Sequence, residues 1–193
     1  MNSMWQPRCV LLFSGHMVDT PGRDPPRFPN EKSALASGAI FSKINELGAN
    51  EMDLAICGGA CGGDLLFAEL CLDRGMAVHL YLPFQEPLFL DKSVNFAGEE
   101  WTKRYYRVKD HAKTTLFVMP EELNPGELDG NPYARNNMRM LYKALAFGAD
   151  RMRFIALWDG KTSDGPGGTK DMIDTVQKHL GQVWILNTEQ IFA

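Results

Sequence analysis

No uninterrupted apolar run in the 193-residue sequence is long enough to cross a bilayer, and no block of lysines or arginines stands out. The first absence argues against a membrane-spanning helix or a membrane partner. The second, with 20 basic against 24 acidic residues and a net charge of −4, argues against nucleic acid as a partner. The opening MNSMWQPR lacks the basic-then-apolar order of a secretory signal, so a cytoplasmic location is expected. Cys-x-x-Cys is absent too. Cys9 and Cys71 lie in apolar segments, where a free thiol behaves as a small core residue. Cys57 and Cys61 have no second ligand pair at zinc-like spacing, which favours reduced, structural cysteines over a metal site. No metal or resident cofactor is therefore expected. With no internal repeat and no linker, residues 1–193 read as one domain. The sequence ends soon after its last expected strand, which hints at a segment of a longer polypeptide.

What is present is an alternation of short apolar runs and helical patterns. Runs at 10–13, 53–56, 77–82, 115–118, 153–158 and 183–186 read as strands whose near-continuous apolarity suits burial on both faces. Helices are expected over 31–47, with Leu35, Phe41, Ile44 and Leu47 inward, and over 64–74, 99–113, 131–147 and 169–180. Trp101 and Tyr105 read as core, and Arg104 and Arg107 as a solvated face. Asn131-Pro132 reads as an N-cap with proline in the first turn. Such alternation predicts an α/β fold, a Rossmann-like three-layer sandwich with a mostly parallel sheet. Residues 15–30 and 120–130 are left as surface loops.

In such a sheet the carboxyl ends of the strands share one rim, where ligands bind. Three strand-to-helix loops bring glycine or small polar groups there: Ser14, Gly15 and His16; Gly58, Gly59, Gly62 and Gly63; and Gly167, Gly168 and Thr169. Glycines let a ligand approach peptide N–H groups, and a helix start adds unpaired N–H groups and a positive dipole end. For one such loop the alternative is simply a tight turn. The familiar signatures are missing: Asp64-Leu65 follows the second loop instead of the Lys-Ser/Thr of a P-loop, and no Gly-x-Gly-x-x-Gly occurs, which disfavours an ATPase and a nicotinamide enzyme. Asp64 reads either as a plain N-cap or as a group that meets ligand hydroxyls. Arg23 and Arg27, in a proline-stiffened loop, supply positive charge as a lid or stay solvated, and Asn137 and its neighbour Asn136 present amides that can read a base edge.

FSGH at 13–16, AICGGACGGDLLFAE at 55–69, and WDG with PGGT at 158–160 and 166–169 together resemble the SLOG superfamily, which includes the LOG phosphoribohydrolases and the DprA-type domain. More narrowly, DKSVNFAGEEW at 91–101 and NPYARNNMRMLYKAL at 131–145 are similar to SLOG-type domains found beside cyclase or tetratricopeptide segments. The resemblance implies a nucleotide-derived ligand along the glycine-rich rim. It departs at the LOG motif Pro-Gly-Gly-x-Gly-Thr-x-x-Glu, where Lys170, Asp171 and Asp174 replace the third glycine, the threonine and the glutamate.

Three readings follow. The first is a domain that binds a nucleotide-derived small molecule and passes its occupancy to a fused or associated effector domain or to further copies in a homo-oligomer. The second is an N-ribosyl hydrolase or transferase with Asp159 and Asp64 as catalytic carboxylates. The third is an interaction scaffold with a vestigial pocket.

Overall fold

Apolar runs that do not alternate with polar residues need cover on both faces, and here they assemble into one six-stranded sheet between two layers of helices. The computed structural model describes residues 5–120, 131–161, 167–180 and 183–193. Its strands are β1 (Val10–Gly15), β2 (Leu54–Cys57), β3 (Ala77–Leu82), β4 (Thr114–Val118), β5 (Met152–Trp158) and β6 (Val183–Asn187). Its helices are α1 (Ser33–Glu46), α2 (Gly63–Asp73), α3 (Glu86–Ser93), α4 (Glu99–Lys109), α5 (Pro132–Leu145), α6 (Thr169–Leu180) and α7 (Thr188–Ile191). The strand order is β4-β3-β2-β1-β5-β6, and every neighbouring pair is parallel. This is an α/β, Rossmann-like fold with an all-parallel sheet.

The chain winds outward from β1 to β4 and returns to pair β5 with the other side of β1. Successive residues of a strand face opposite ways, so β1 feeds both cores. Leu11 and Phe13 pack with Ile40 of α1, Phe67 of α2 and Trp101 of α4, and the Phe13 and Phe67 rings stack at 4.6 Å. Val10 and Leu12 pack with Met140 and Leu141 of α5 and Ile173 and Val176 of α6. The Asn131 side chain accepts the Tyr133 N–H at 2.8 Å, which caps α5 as its sequence suggests. No described helix is long and apolar enough to cross a membrane.

Some details differ from the sequence-based expectation. The inward stripe of α1 is Ala36, Ile40 and Ile44, spaced by four, whereas Leu35 and Phe41 are exposed. Phe41 is covered instead by the Arg74 guanidinium, 4.6 Å from its ring centre. Helices α3 and α7 were not anticipated, and α4 ends at Lys109, four residues short. Arg104 and Arg107 are not simply solvated; they lie 3.2 and 3.6 Å from Glu69 of α2. The expected loop at 121–130, Pro166, the side chain of Leu180 and the Gly181 cap lie outside what is described.

Asp53, expected inside β2, sits just before it and is fully buried. Its carboxylate accepts from Arg8 Nε at 3.0 Å, Arg8 Nη2 at 2.6 Å, Cys9 N at 3.0 Å and Asn50 N at 2.9 Å. This ties the starts of β1 and β2 together. Charge-assisted bonds of this kind contribute about 1.5–3 kcal/mol each, so Asp53→Ala should lower the unfolding free energy by at least about 2 kcal/mol in urea titrations. Leu35→Gln, on the exposed face of α1, should shift it by less than about 0.5 kcal/mol.

Candidate functional site

Where the direction of winding reverses, between β1 and β5, the helices part and leave a crevice at the carboxyl ends of the strands. A cavity of about 390 Å³ lies there. Ser14 and Gly15 line it from the end of β1 and His16 from just beyond, Gly58 from the turn after β2, Asp64 from the first turn of α2, Asn137 from α5, and Gly167, Gly168 and Thr169 from the start of α6. Arg27 reaches it from the loop before α1. Three glycines of the second loop, Gly59, Gly62 and Gly63, do not line it. Gly63 N–H donates to His16 O at 3.0 Å, and at Gly62, with φ +98°, a Cβ would stand 2.7 Å from His16 O and Val18 N. Those two glycines let the start of α2 press against the loop leaving β1, and Gly59 rests on Leu80.

Arg23 lies outside the cavity wall, 3.5 Å from Asp19, whose Oδ2 also accepts the Arg27 and Phe28 N–H groups. The segment is thereby folded onto itself, with Phe28 fully buried. Asp159 does not line the cavity either. Its Oδ1 accepts the Lys161 N–H at 3.0 Å and lies 3.2 Å from His16 Nε2, which in turn accepts the Asp159 N–H at 3.0 Å. Burial pushes His16 down to about 4, with Arg27 assisting and Asp159 opposing, so the imidazole is neutral and Nδ1 carries its proton. Burial opposes charge on Asp159, but the Lys161 N–H and His16 outweigh it and hold that carboxyl below its usual range.

The walls differ in character. Toward β3 and α3 stand Pro83, Phe89 and Tyr133, with Tyr133 hydroxyl 3.1 Å from Ser93 Oγ and its ring edge-on to Phe84. Toward β5 and α6 stand Trp158 and residues 167–170, with the Lys170 ammonium paired to Asp174 at 2.5 Å. Gly167 is packed so closely on α5 that a Cβ would come within 2.7 Å of Ala134 N, and its carbonyl accepts from Asn137 Nδ2 at 3.0 Å. The Gly167 amide and the Thr169 hydroxyl, both expected on the rim, are partly occupied from within. Gly167 N–H donates to Asp171 Oδ2 at 2.6 Å, and Thr169 Oγ1 accepts from Ser14 Oγ at 3.3 Å. Asn136 also lines the cavity but spends its Nδ2 on Tyr81 O at 2.6 Å. Phe89 and Pro83 escaped sequence reasoning, although β3 ends on the same rim and points to them.

Asp64 is not the N-cap of α2: Gly62 holds that place without a side-chain bond, and Asp64 lies in the first turn. Its Oδ2 accepts the Ala60 N–H at 3.4 Å, and Oδ1 has no hydrogen-bond partner among the described residues. Burial pushes this carboxyl up to about 7, against the backbone amides of Ala60, Gly15 and Gly58, which favour its charge. Cys57 and Cys61 are buried and free, with thiols pushed up by burial, Cys61 to about 12, which disfavours the thiolates a metal needs. Among the described residues no cluster of three or more His, Cys, Asp or Glu is placed to hold a metal ion. A second groove of about 220 Å³, lined by Arg27, Asp159, Lys161 and Thr188, adjoins the first.

No protein-family model matches the sequence, and no curated protein does. Solved structures of similar fold include TM1055, at 13% identity and a TM-score of 0.40, with 95% of this chain and 98% of that one covered. DNA processing protein A from Helicobacter pylori matches at 10% identity and a TM-score of 0.39, over 96% of this chain and 80% of that one. A Moco carrier protein from Chlamydomonas reinhardtii matches at 11% identity and a TM-score of 0.35, over 97% and 98%. These are likenesses of fold alone. They correct one expectation: the Helicobacter protein binds single-stranded DNA, so the acidic balance of this chain does not exclude nucleic acid. Net charge sums the whole surface, whereas phosphates are met by local cations and amides.

The shift of Asp64 has a consequence for stability. Its folded value lies above the unfolded one, so its contribution is full below about pH 4 and is lost as pH rises through about 7. Asp64→Asn removes that loss. The melting temperature of the variant minus that of the wild type should grow from about pH 5 to about pH 8. A difference independent of pH would contradict the assignment.

Proposed function

We propose that this chain binds a nucleotide-derived small molecule in the cavity at the strand reversal and conveys its occupancy to an associated domain or a second copy in the cytoplasm. The observation that carries this reading is the two-sided wall of a single cavity. Apolar and aromatic groups (Pro83, Phe89 and Tyr133) stand at the β3 end, and Arg27 and the first turn of α6 stand at the β5 end. A helix leaves its first N–H groups without intrahelical acceptors, and these attract anionic oxygens. A molecule with a flat ring and an anionic group matches both ends. At about 390 Å³ the cavity falls within the range of about 300–1,000 Å³ usual for small-molecule sites. The SLOG resemblance of the three loops, and the narrower likeness to SLOG-type domains found beside cyclase or tetratricopeptide segments, supports the same reading.

One observation favours hydrolysis as a second reading. Asp64 is pushed up and Asp159 is held down, the divergence that lets one carboxyl act as acid while another stays charged. Protonation of a departing base by Asp64 would fit. Against it, Asp159 is turned to His16 and Lys161, and Asp174, which stands where the LOG motif has its glutamate, is 2.5 Å from Lys170.

The test is incubation with AMP, ADP-ribose, NAD and cyclic nucleotides, following melting temperature and free base together. A ligand at 100 times its Kd should stabilise the fold by about 2.7 kcal/mol. For a chain of this size that raises the melting temperature by about 5–10 °C. Stabilisation with the ligand intact supports binding, release of base supports hydrolysis, and no response to any compound removes the reading.

A further inference from the structure

Arg27 brings positive charge to the cavity from the loop between β1 and α1, and that loop is pinned at both ends. At the near end His16 O accepts the Gly63 N–H at 3.0 Å, and Val18 is buried. At the far end the Arg27 and Phe28 N–H groups both donate to Asp19 Oδ2, at 2.8 and 2.9 Å, and Phe28 O accepts the Asp19 N–H at 2.8 Å. This clamp joins the loop to itself. Phe28 and the residues after it join it to the rest of the protein. The Phe28 side chain is fully buried, and its ring lies 5.4 Å from that of Phe192, the residue after α7. Lys32 Nζ donates to Phe192 O at 2.7 Å, and Trp101 Nε1 donates to the Asn30 side chain at 2.7 Å.

Two of these fastenings converge on Phe192, which is itself held: its N–H donates to Thr188 O at 2.9 Å, and the Asn187 side chain caps α7. Arg27, Lys32, Thr188 and Phe192 all line the adjoining groove, and of these only Arg27 also lines the cavity. Its charge is felt there, since burial first, and then Arg27, push His16 of the cavity wall down to about 4.

We propose that Phe192 is a positioning residue for Arg27: by holding Phe28 and Lys32 it sets where the guanidinium stands, and so sets affinity for an anionic ligand without touching it. The inference rests on the cavity being a nucleotide-ligand site and adds a residue outside the cavity wall that determines how firmly the anionic group is held. A guanidinium kept in place meets a phosphate with its geometry already arranged, whereas one on a loosened loop must be ordered at the moment of binding, which lowers affinity. The same contacts give α7 a route to the ligand, because a displacement of Phe192 reaches Arg27 through a single intervening residue, Phe28.

The experiment is isothermal titration calorimetry of the intact chain with ADP-ribose, AMP and cyclic AMP at a series of salt concentrations. It compares the wild type with Phe192→Ala, Arg27→Gln and the double variant. Arg27 acts by charge, so its contribution is screened by salt. Phe192→Ala should weaken binding about three- to tenfold, the scale of a lost aromatic pair, and make Kd less dependent on salt. In the Arg27→Gln background the same change should move Kd by less than about twofold, since the two residues act as one unit. Phe192→Tyr, which keeps the ring, should bind as the wild type does. If Phe192→Ala does not fold, Lys32→Met, which removes the bond to Phe192 O, should show the same loss and the same absence of loss in the Arg27→Gln background. An unchanged Kd in Phe192→Ala, equal weakening with and without Arg27, or weakening with the salt dependence intact overturns the role of Phe192 and leaves the ligand site standing. So does an Arg27→Gln variant that binds as tightly as the wild type. Failure of all three compounds and NAD to bind overturns the ligand site and this proposal together.

Discussion

All six strands run the same way, and that single constraint governs the rest of the molecule. Each strand delivers the chain to the same rim, and each following helix begins there, so first-turn amides collect on one side of the sheet. The return from β4 to β5 sends α5 and α6 to the opposite face from α1, α2 and α4 and leaves the rim uncovered at β1. The crevice follows from the topology; the side chains decide what it accepts. Backbone contacts hold it open from below, with Gly63 N–H on His16 O and Gly167 pressed against the first turn of α5.

Much of this was legible in the amino-acid pattern, because unbroken apolar runs admit little besides buried strands. Val10–Phe13, Ala77–Leu82 and the run beginning at Arg153 announce the sheet, and the glycine-bearing turns after β1, β2 and β5 announce the rim. Periodicity failed where two stripes compete on one helix. In α1, Leu35 and Phe41 outweigh Ala36 by hydrophobicity, yet the sheet takes the small residue with Ile40 and Ile44, and Arg74 covers Phe41. Short helices failed too: α3 and α7 span eight and four residues, too few for a period to show. That loss hid Phe89, and with it the apolar wall.

The roles of individual glycines could not be told from composition, since all of them promise an exposed backbone. The fold uses Gly62 and Gly63 for close packing and leaves Gly58 facing the cavity. The same holds for carboxylates. Asp53, Asp64, Asp159 and Asp171 are alike on paper, but one ties two strand starts together, one is buried with an oxygen to spare, one is held charged beside a neutral histidine, and one occupies a helix-start amide. By taking the Gly167 N–H, Asp171 places negative charge where a bare helix start would offer only positive potential, so the anion-attracting end of the cavity relies more on Arg27, the Lys170 ammonium being paired with Asp174.

Arg27 borders both the larger cavity and the adjoining groove beside Asp159, Lys161 and Thr188. One residue therefore forms part of two compartments. If an occupant of the cavity changes affinity in the groove through it, thermodynamic reciprocity requires an occupant of the groove to change affinity in the cavity by the same factor.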